Sequence, residues 1–171
     1  MSQPATSTPH ALTPSMIERF EREIAKYPAD QRQSAVMACL SIVQDEWGYV
    51  SSESEQQVAQ YLNMPPIAVH EVTTFYNMYN QQPVGRYKFN VCTNLPCQLR
   101  DAQAALDHLC HKLGVVEGGT TADGLFTVQK SECLGACADA PVMLVNDRQM
   151  VSFMSHTRLD DLVQTLKAQH P

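Results

Sequence analysis

The sequence predicts an α+β chain in which an N-terminal helical bundle precedes a smaller α/β unit. Three observations carry this. Apolar residues recur at helical spacing from Ile17 to Tyr79. After a joint at Gln81 to Gly85 the pattern changes to alternation, with Tyr87, Phe89 and Val91 on one side of a strand. Two cysteine pairs, Cys92 with Cys97 and Cys133 with Cys137, then each follow a short β-like run. The boundaries predicted are 1–12 for a disordered N-terminus, 13–80 for the bundle and 81–171 for the α/β unit.

Met1 to Leu12 is rich in Pro, Ser, Thr and Ala and is expected to lack order. Thr13-Pro14 and Ser15-x-x-Glu18 offer helix-start chemistry. Ile17, Phe20, Ile24 and Tyr27 form the stripe of the first helix, and Pro28 stops it. Val36, Leu40, Val43 and Trp47 form the second, closed by Gly48. Ser52-x-x-Glu55 opens a third, which buries Val58 and Leu62. Pro65-Pro66 opens a fourth, with Ala68, Val72, Phe75 and Tyr79 on one face. Short helices with short joints read as a bundle. His70 lies among apolar neighbours and is expected to be structural.

In the second half, Arg86 to Cys92 is the first strand. Leu99, Ala102, Leu106, Leu109 and Leu113 mark a helix that ends at Gly114. Leu125 to Gln129 is a strand leading into Cys133, Pro141 to Val145 is another, and Met150 to Phe153 returns after a turn at Asn146 to Gln149. Thr157-x-x-Asp160 caps a last helix carrying Leu159, Leu162, Val163 and Leu166. The order β-α-β-β-β-α is that of a small α/β sandwich.

Composition excludes several functions. The 171 residues carry a formal charge of −6 with no basic face, so no nucleic acid is expected as a partner. No run approaches the ~18 apolar residues of a membrane span. Met1 to His10 lacks an apolar core and arginines, and so reads as neither secretory signal nor transit peptide. The expectation is a soluble chain in a reducing compartment, where six cysteines serve metal binding or catalysis rather than a disulfide framework. There is no Gly-x-Gly-x-x-Gly after a strand, no Walker loop and no Ser, His and Asp set. The chain is expected to hold no complete active site and no catalytic residue of its own.

Cys92, Cys97, Cys133 and Cys137 are the candidate metal ligands. Thiolates are soft donors that select zinc, copper(I) or iron–sulfur clusters. Neither pair is a Cys-x-x-Cys knuckle of the kind common in structural zinc sites. A [2Fe–2S] cluster is longer than one ion, so longer loops suit it. A Rieske centre needs two histidines on one iron, and neither loop has one. Spacing thus favours a cluster and leaves zinc as the alternative. Gly135 can take positive φ and turn N–H groups toward sulfur. Leu95, Leu134, Ala136, Ala138 and Pro141 are expected to wall off water. Cys39 and Cys110 are expected to act as small core hydrophobes. His108, His111 and His156 fit surface or core positions better than positions behind the metal ligands.

Cys92-x4-Cys97 with Cys133-Leu134-Gly135-Ala136-Cys137-x3-Pro141 resembles the thioredoxin-like [2Fe–2S] ferredoxins. Val72-Thr73-Thr74-Phe75-Tyr76, Pro83-Val84-Gly85-Arg86 and Thr120 to Thr127 narrow the resemblance to the E subunits of NADH-quinone oxidoreductase, in the peripheral arm of respiratory complex I. The resemblance covers residues 14 to 168. It implies a thioredoxin-like domain over 81–171 and one [2Fe–2S] cluster on Cys92, Cys97, Cys133 and Cys137. It also implies a partner subunit that binds FMN and NADH, then a larger iron–sulfur subunit, with electrons passing on to quinone and proton translocation elsewhere in the complex. The location implied is cytoplasmic, peripheral on the inner face of a bacterial plasma membrane. Equivalent subunits occur in NAD-linked formate dehydrogenases and bidirectional hydrogenases, and these remain open. So does a zinc-stabilised interaction module.

Overall fold

The computed structural model describes residues 11–170. The disorder expected for 1–12 lies outside them except at its end, where Leu12 packs against the first core and donates its N–H to Gln57 Oε1 at 3.0 Å. The chain divides into two compact units, Met1–Pro83 and Val84–Pro171.

The first unit holds helices α1 (Pro14–Ile24), α2 (Val36–Trp47), α3 (Ser52–Leu62) and α4 (Pro66–Phe75), with a 3₁₀ segment, Ala29–Ala35, between the first two. The starts of α1 and α3 are set by caps placed slightly earlier than the capping-box spacing suggests. Thr13 accepts the Met16 N–H, and Ser51 accepts the Ser54 N–H. Met16, Phe20, Leu40, Val43, Val50, Val58, Leu62 and Val69 are among the core residues.

Two aromatic positions depart from their predicted stripes. Tyr27 is exposed because α1 ends at Ile24. On α4 the buried row is Val69 and Thr73, so Phe75 stands 80% exposed. Both rows of this helix are apolar enough to pass for the core face, and only the packing partner decides. Tyr79 still reaches the core from beyond the helix, its hydroxyl donating to Met37 O at 2.8 Å.

His70 takes a structural place, on a polar partner. Its Nδ1 lies 3.0 Å from Oε2 of Glu55, a buried carboxylate that also accepts from the Thr73 hydroxyl. A buried carboxylate needs such partners, because an unpaired one costs far more than a hydrogen bond returns. His70 and Thr73 thus tie α4 to α3.

Cys39 is fully buried in this core. Burial, aided by the Glu23 charge, pushes its thiol from 9.0 up to about 12. Between those values an unfolded chain has released the proton that the folded chain keeps. The unfolded state then binds fewer protons, so stability falls as pH rises above 9. A Cys39→Val chain is expected to show a shallower loss than the natural chain in urea midpoints measured from pH 8 to 10.5.

The second unit is a four-stranded sheet in the order β2-β1-β3-β4. Its strands are β1 (Tyr87–Cys92), β2 (Phe126–Ser131), β3 (Met143–Val145) and β4 (Gln149–Val151). β1 pairs parallel with β2 and antiparallel with β3, and β3 turns into β4. A short helix α5 (Leu95–Gln98) follows β1, then α6 (Ala102–Leu113). The chain closes with α7 (His156–Ala168), capped by Ser155 rather than Thr157. Phe89, Val91, Phe126, Val128, Met143 and Val145 of the sheet form one core with Ala105, Leu106 and Leu109 of α6 and Leu159, Val163 and Leu166 of α7.

β1 is buried on both faces, not one. Lys88 and Asn90 are buried on the side opposite Phe89, and Lys88 Nζ pairs with Asp147 Oδ2 at 2.6 Å. Asp147 reaches them from the β3–β4 turn, where Asn146 and Asp147 both have positive φ, as a tight hairpin turn requires. Gly85 lets β1 enter beside β2: a Cβ there would meet the Phe126 backbone at 2.8 Å.

Candidate metal centre

The parallel strands β1 and β2 end side by side, with Cys92 opposite Ser131, so both cysteine loops start from one end of the sheet. Cys92 is the last residue of β1, buried, with its N–H donating to Val142 O at 3.0 Å. Asn94 and Pro96 then start α5, which turns Cys97 back beside Cys92 and buries it. Burial pushes the Cys97 thiol up, and the neighbouring Cys92 thiol adds to this. The Val142 N–H, directed at the Cys97 sulfur, opposes the shift. One residue of the turn before β3 thus holds both members of the first pair.

The second pair is built on β2. Cys133 and Cys137 flank Gly135, whose φ of +74° is the left-handed region that glycine enters at no cost. This turn directs the Gly135 N–H at Cys133 Sγ at 3.4 Å. Cys137 opens a 3₁₀ turn, Cys137–Asp139. Its thiol is pushed up by loss of hydration, then by Cys133 and also by Cys92.

The corner is fixed from three sides. Leu134 and Ala136 of the second loop pack on Cys92, Cys97, Ala102, Ala140 and Val142. Asn94 Nδ2 reaches Glu132 Oε2 at 3.4 Å. Past β4, Phe153 N–H donates to Asp139 O at 2.9 Å and Met154 N–H to Pro141 O at 3.0 Å. The apolar wall is thinner than expected. Leu95 is 67% exposed and Ala138 is exposed, while Leu134, Ala136 and Pro141 are half-buried. Cys133 and Cys137 are exposed, in contrast to the first pair.

The donor set, four soft sulfurs in two pairs, fits an iron–sulfur cluster by its chemistry. Cys97 and Cys137 both resist ionisation beside other sulfurs, so a cationic metal is what would hold them as thiolates. Among the described residues no group of three or more His, Cys, Asp or Glu side chains is placed to hold a metal ion. Four thiolate donors in two pairs are what a two-iron cluster uses.

The other candidates lie elsewhere. His108 and His156 stack with ring centroids 4.1 Å apart, and His108 Nε2 meets Asp160 Oδ1 at 2.8 Å. These contacts join α6 to α7. Lys112 and His108 together hold the Asp160 carboxyl below its usual range. Cys110 is half-buried, its thiol pushed up by burial and by the Asp107 charge. Sequence reasoning missed α5 and the role of Val142. The first had a signal in Asn94 followed by Pro96, a helix-start pair. The second had none, because it acts through backbone.

Fold and thiols together define a class of small ferredoxin-like electron carriers. The sequence profile of the thioredoxin-like [2Fe–2S] ferredoxin family matches residues 20–167, and the chain belongs to that family. It is 40% identical over 149 residues to NADH-quinone oxidoreductase subunit 2 of Thermus thermophilus, covering 87% of this chain and 82% of the relative. It is also 40% identical over 154 residues to an E-type NADH-quinone oxidoreductase chain of Rhizobium meliloti, covering 90% of each. Among solved structures, the air-oxidised NAD⁺-reducing [NiFe]-hydrogenase superposes with a TM-score of 0.67 at 23% identity, a likeness of fold. That match covers 80% of this chain and 23% of the hydrogenase chain.

Proposed function

We propose that this chain is the iron–sulfur electron-transfer subunit of the NADH dehydrogenase module of a proton-translocating NADH:quinone oxidoreductase. Cys92, Cys97, Cys133 and Cys137 hold its one [2Fe–2S] cluster. The observation that supports this reading is the parallel register of β1 and β2, which sets Cys92 opposite Ser131 and so starts both cysteine loops from one end of the sheet. The names of the relatives that match along most of their length support the choice of complex. When bound, such a cluster takes up and passes on one electron at a time.

The chain's own residues set the surroundings of that electron. The Val142 and Gly135 N–H groups face Cys97 and Cys133, and donors to sulfur favour the more negative state. Ala102, Ala140 and Val142 keep water from the inner pair, which opposes added charge. The exposed outer pair is the side from which an electron can enter or leave over a short distance.

FMN and NADH belong to the partner subunit, and a larger iron–sulfur subunit follows it toward quinone. None of the helices among the described residues is long and apolar enough to cross a membrane, which suits a peripheral place on the cytoplasmic face. The test is metal analysis and EPR of anaerobically purified protein. Two irons and two sulfides per chain are expected, with a paramagnetic signal only after dithionite reduction. Zinc without iron or sulfide would end this reading. Co-purification with a molybdenum or nickel enzyme would assign the chain to another complex.

A further inference from the structure

We propose that Cys133 and Cys137 are an oxidation-sensitive dithiol, closing into a disulfide in the cluster-free chain and so gating cluster loading. The two thiol pairs differ in access. Cys92 and Cys97 are 2% and 1% exposed and lie in an apolar pocket with Ala102, Ala140 and Val142. Cys133 and Cys137 are exposed and stand in the same short loop. Oxidants dissolved in water reach the second pair and not the first.

The loop also permits closure. Only Leu134, Gly135 and Ala136 separate the two cysteines, so no distant segment has to move. Gly135 has open space around it, with nothing within 4 Å of where a Cβ would stand. Cys39 is fully buried and Cys110 half-buried, and neither has a second cysteine beside it in its own helix.

The chemistry balances with hydrogen peroxide as oxidant. One thiol sulfur takes hydroxyl from the peroxide, the O–O bond breaks, and water leaves with the thiol proton. The second thiol sulfur then displaces that hydroxyl, the S–S bond forms, and a second water leaves. The two sulfurs together lose two electrons and the peroxide gains them. The disulfide stands on exposure and proximity alone. The gate rests on the cluster reading, since a disulfide removes two of the four thiolates the cluster needs.

The test uses the full chain, stripped of metal with a chelator under nitrogen and treated with one equivalent of hydrogen peroxide. Peptide mapping without reductant is expected to find the Cys133–Cys137 link first, with two of the six thiols lost to titration. In a Cys137→Ser chain the link is lost and Cys133 is trapped as sulfenic acid by dimedone. A Cys92–Cys97 link that forms as fast, a link from Cys133 to Cys92 or Cys97, or no link at all would overturn the dithiol. For the gate, ferrous iron and sulfide are added to reduced and to oxidised chain. The oxidised chain is expected to gain visible absorption at least about tenfold more slowly, with full recovery after a phosphine reductant. Equal rates would overturn the gate. A reduced chain that takes up no cluster would instead overturn the proposed function and leave the disulfide result standing.

Discussion

Replacing Cys137 with serine is expected to abolish or strongly alter the visible absorption of the loaded protein and its reduced-state EPR signal, while Cys110→Ser leaves both intact. Both thiols lie in the second unit, and both are pushed up by loss of hydration. They differ in their neighbours. Cys137 feels Cys133 and Cys92, both sulfurs, whereas Cys110 sits in α6 beside the Asp107 and Glu117 charges. A serine oxygen is a harder and more basic donor than sulfur, so one such ligand weakens or reshapes a soft-metal site. Cys110 packs at the edge of the sheet core, so its serine variant gains a hydroxyl near a solvated margin and little else. Iron and sulfide content per chain would be measured for both variants beside the spectra. Unchanged spectra in the Cys137 variant would remove it from the ligand set.

Much of this corner is legible in the sequence, and the limits have physical causes. The candidate ligands stand out because paired cysteines at loop positions, when not read as a disulfide framework, have few other uses. The strands that deliver them also stand out, because Phe89, Val91, Phe126 and Val128 alternate with other residues against one core. The unequal burial of the two pairs is not visible. It depends on Val142, which comes back from 45 residues beyond Cys97 to bond both Cys92 and Cys97 through its backbone. Nor is the burial of Glu55 visible, since a lone carboxylate in a helical stripe reads as surface until Thr73 and His70 close over it. Caps shift by a residue or more because neighbouring serines and threonines compete for the same N–H groups. Ser51 wins over Ser52, and Ser155 over Thr157.

The second large effect is predicted for the core that carries the corner. Phe89→Ala is expected to destabilise the cluster-free second unit by about 3–5 kcal/mol, read from urea unfolding followed by far-UV circular dichroism. Phe89 is fully buried in the central strand, and its ring lies 5.4 Å from that of Phe126. β1 is paired on both sides and buried on both faces, so its neighbours have no solvent side toward which to relax. Incomplete relaxation is what places a truncation at the costly end of the range. Small domains hold about 5–15 kcal/mol in all, so the loss consumes a large part of the margin. Phe75→Ala removes the same atoms from a side chain 80% exposed on α4, and is expected to stay within about 0.5 kcal/mol. The pair of variants therefore separates ring chemistry from burial. Cys92 lies three residues beyond Phe89 on the same strand, so loosening β1 also loosens the inner ligand pair. Cluster loss at elevated temperature should accordingly quicken in Phe89→Ala and remain unchanged in Phe75→Ala. Similar rates of loss in the two variants would mean that the sheet core does not hold the thiol corner in place.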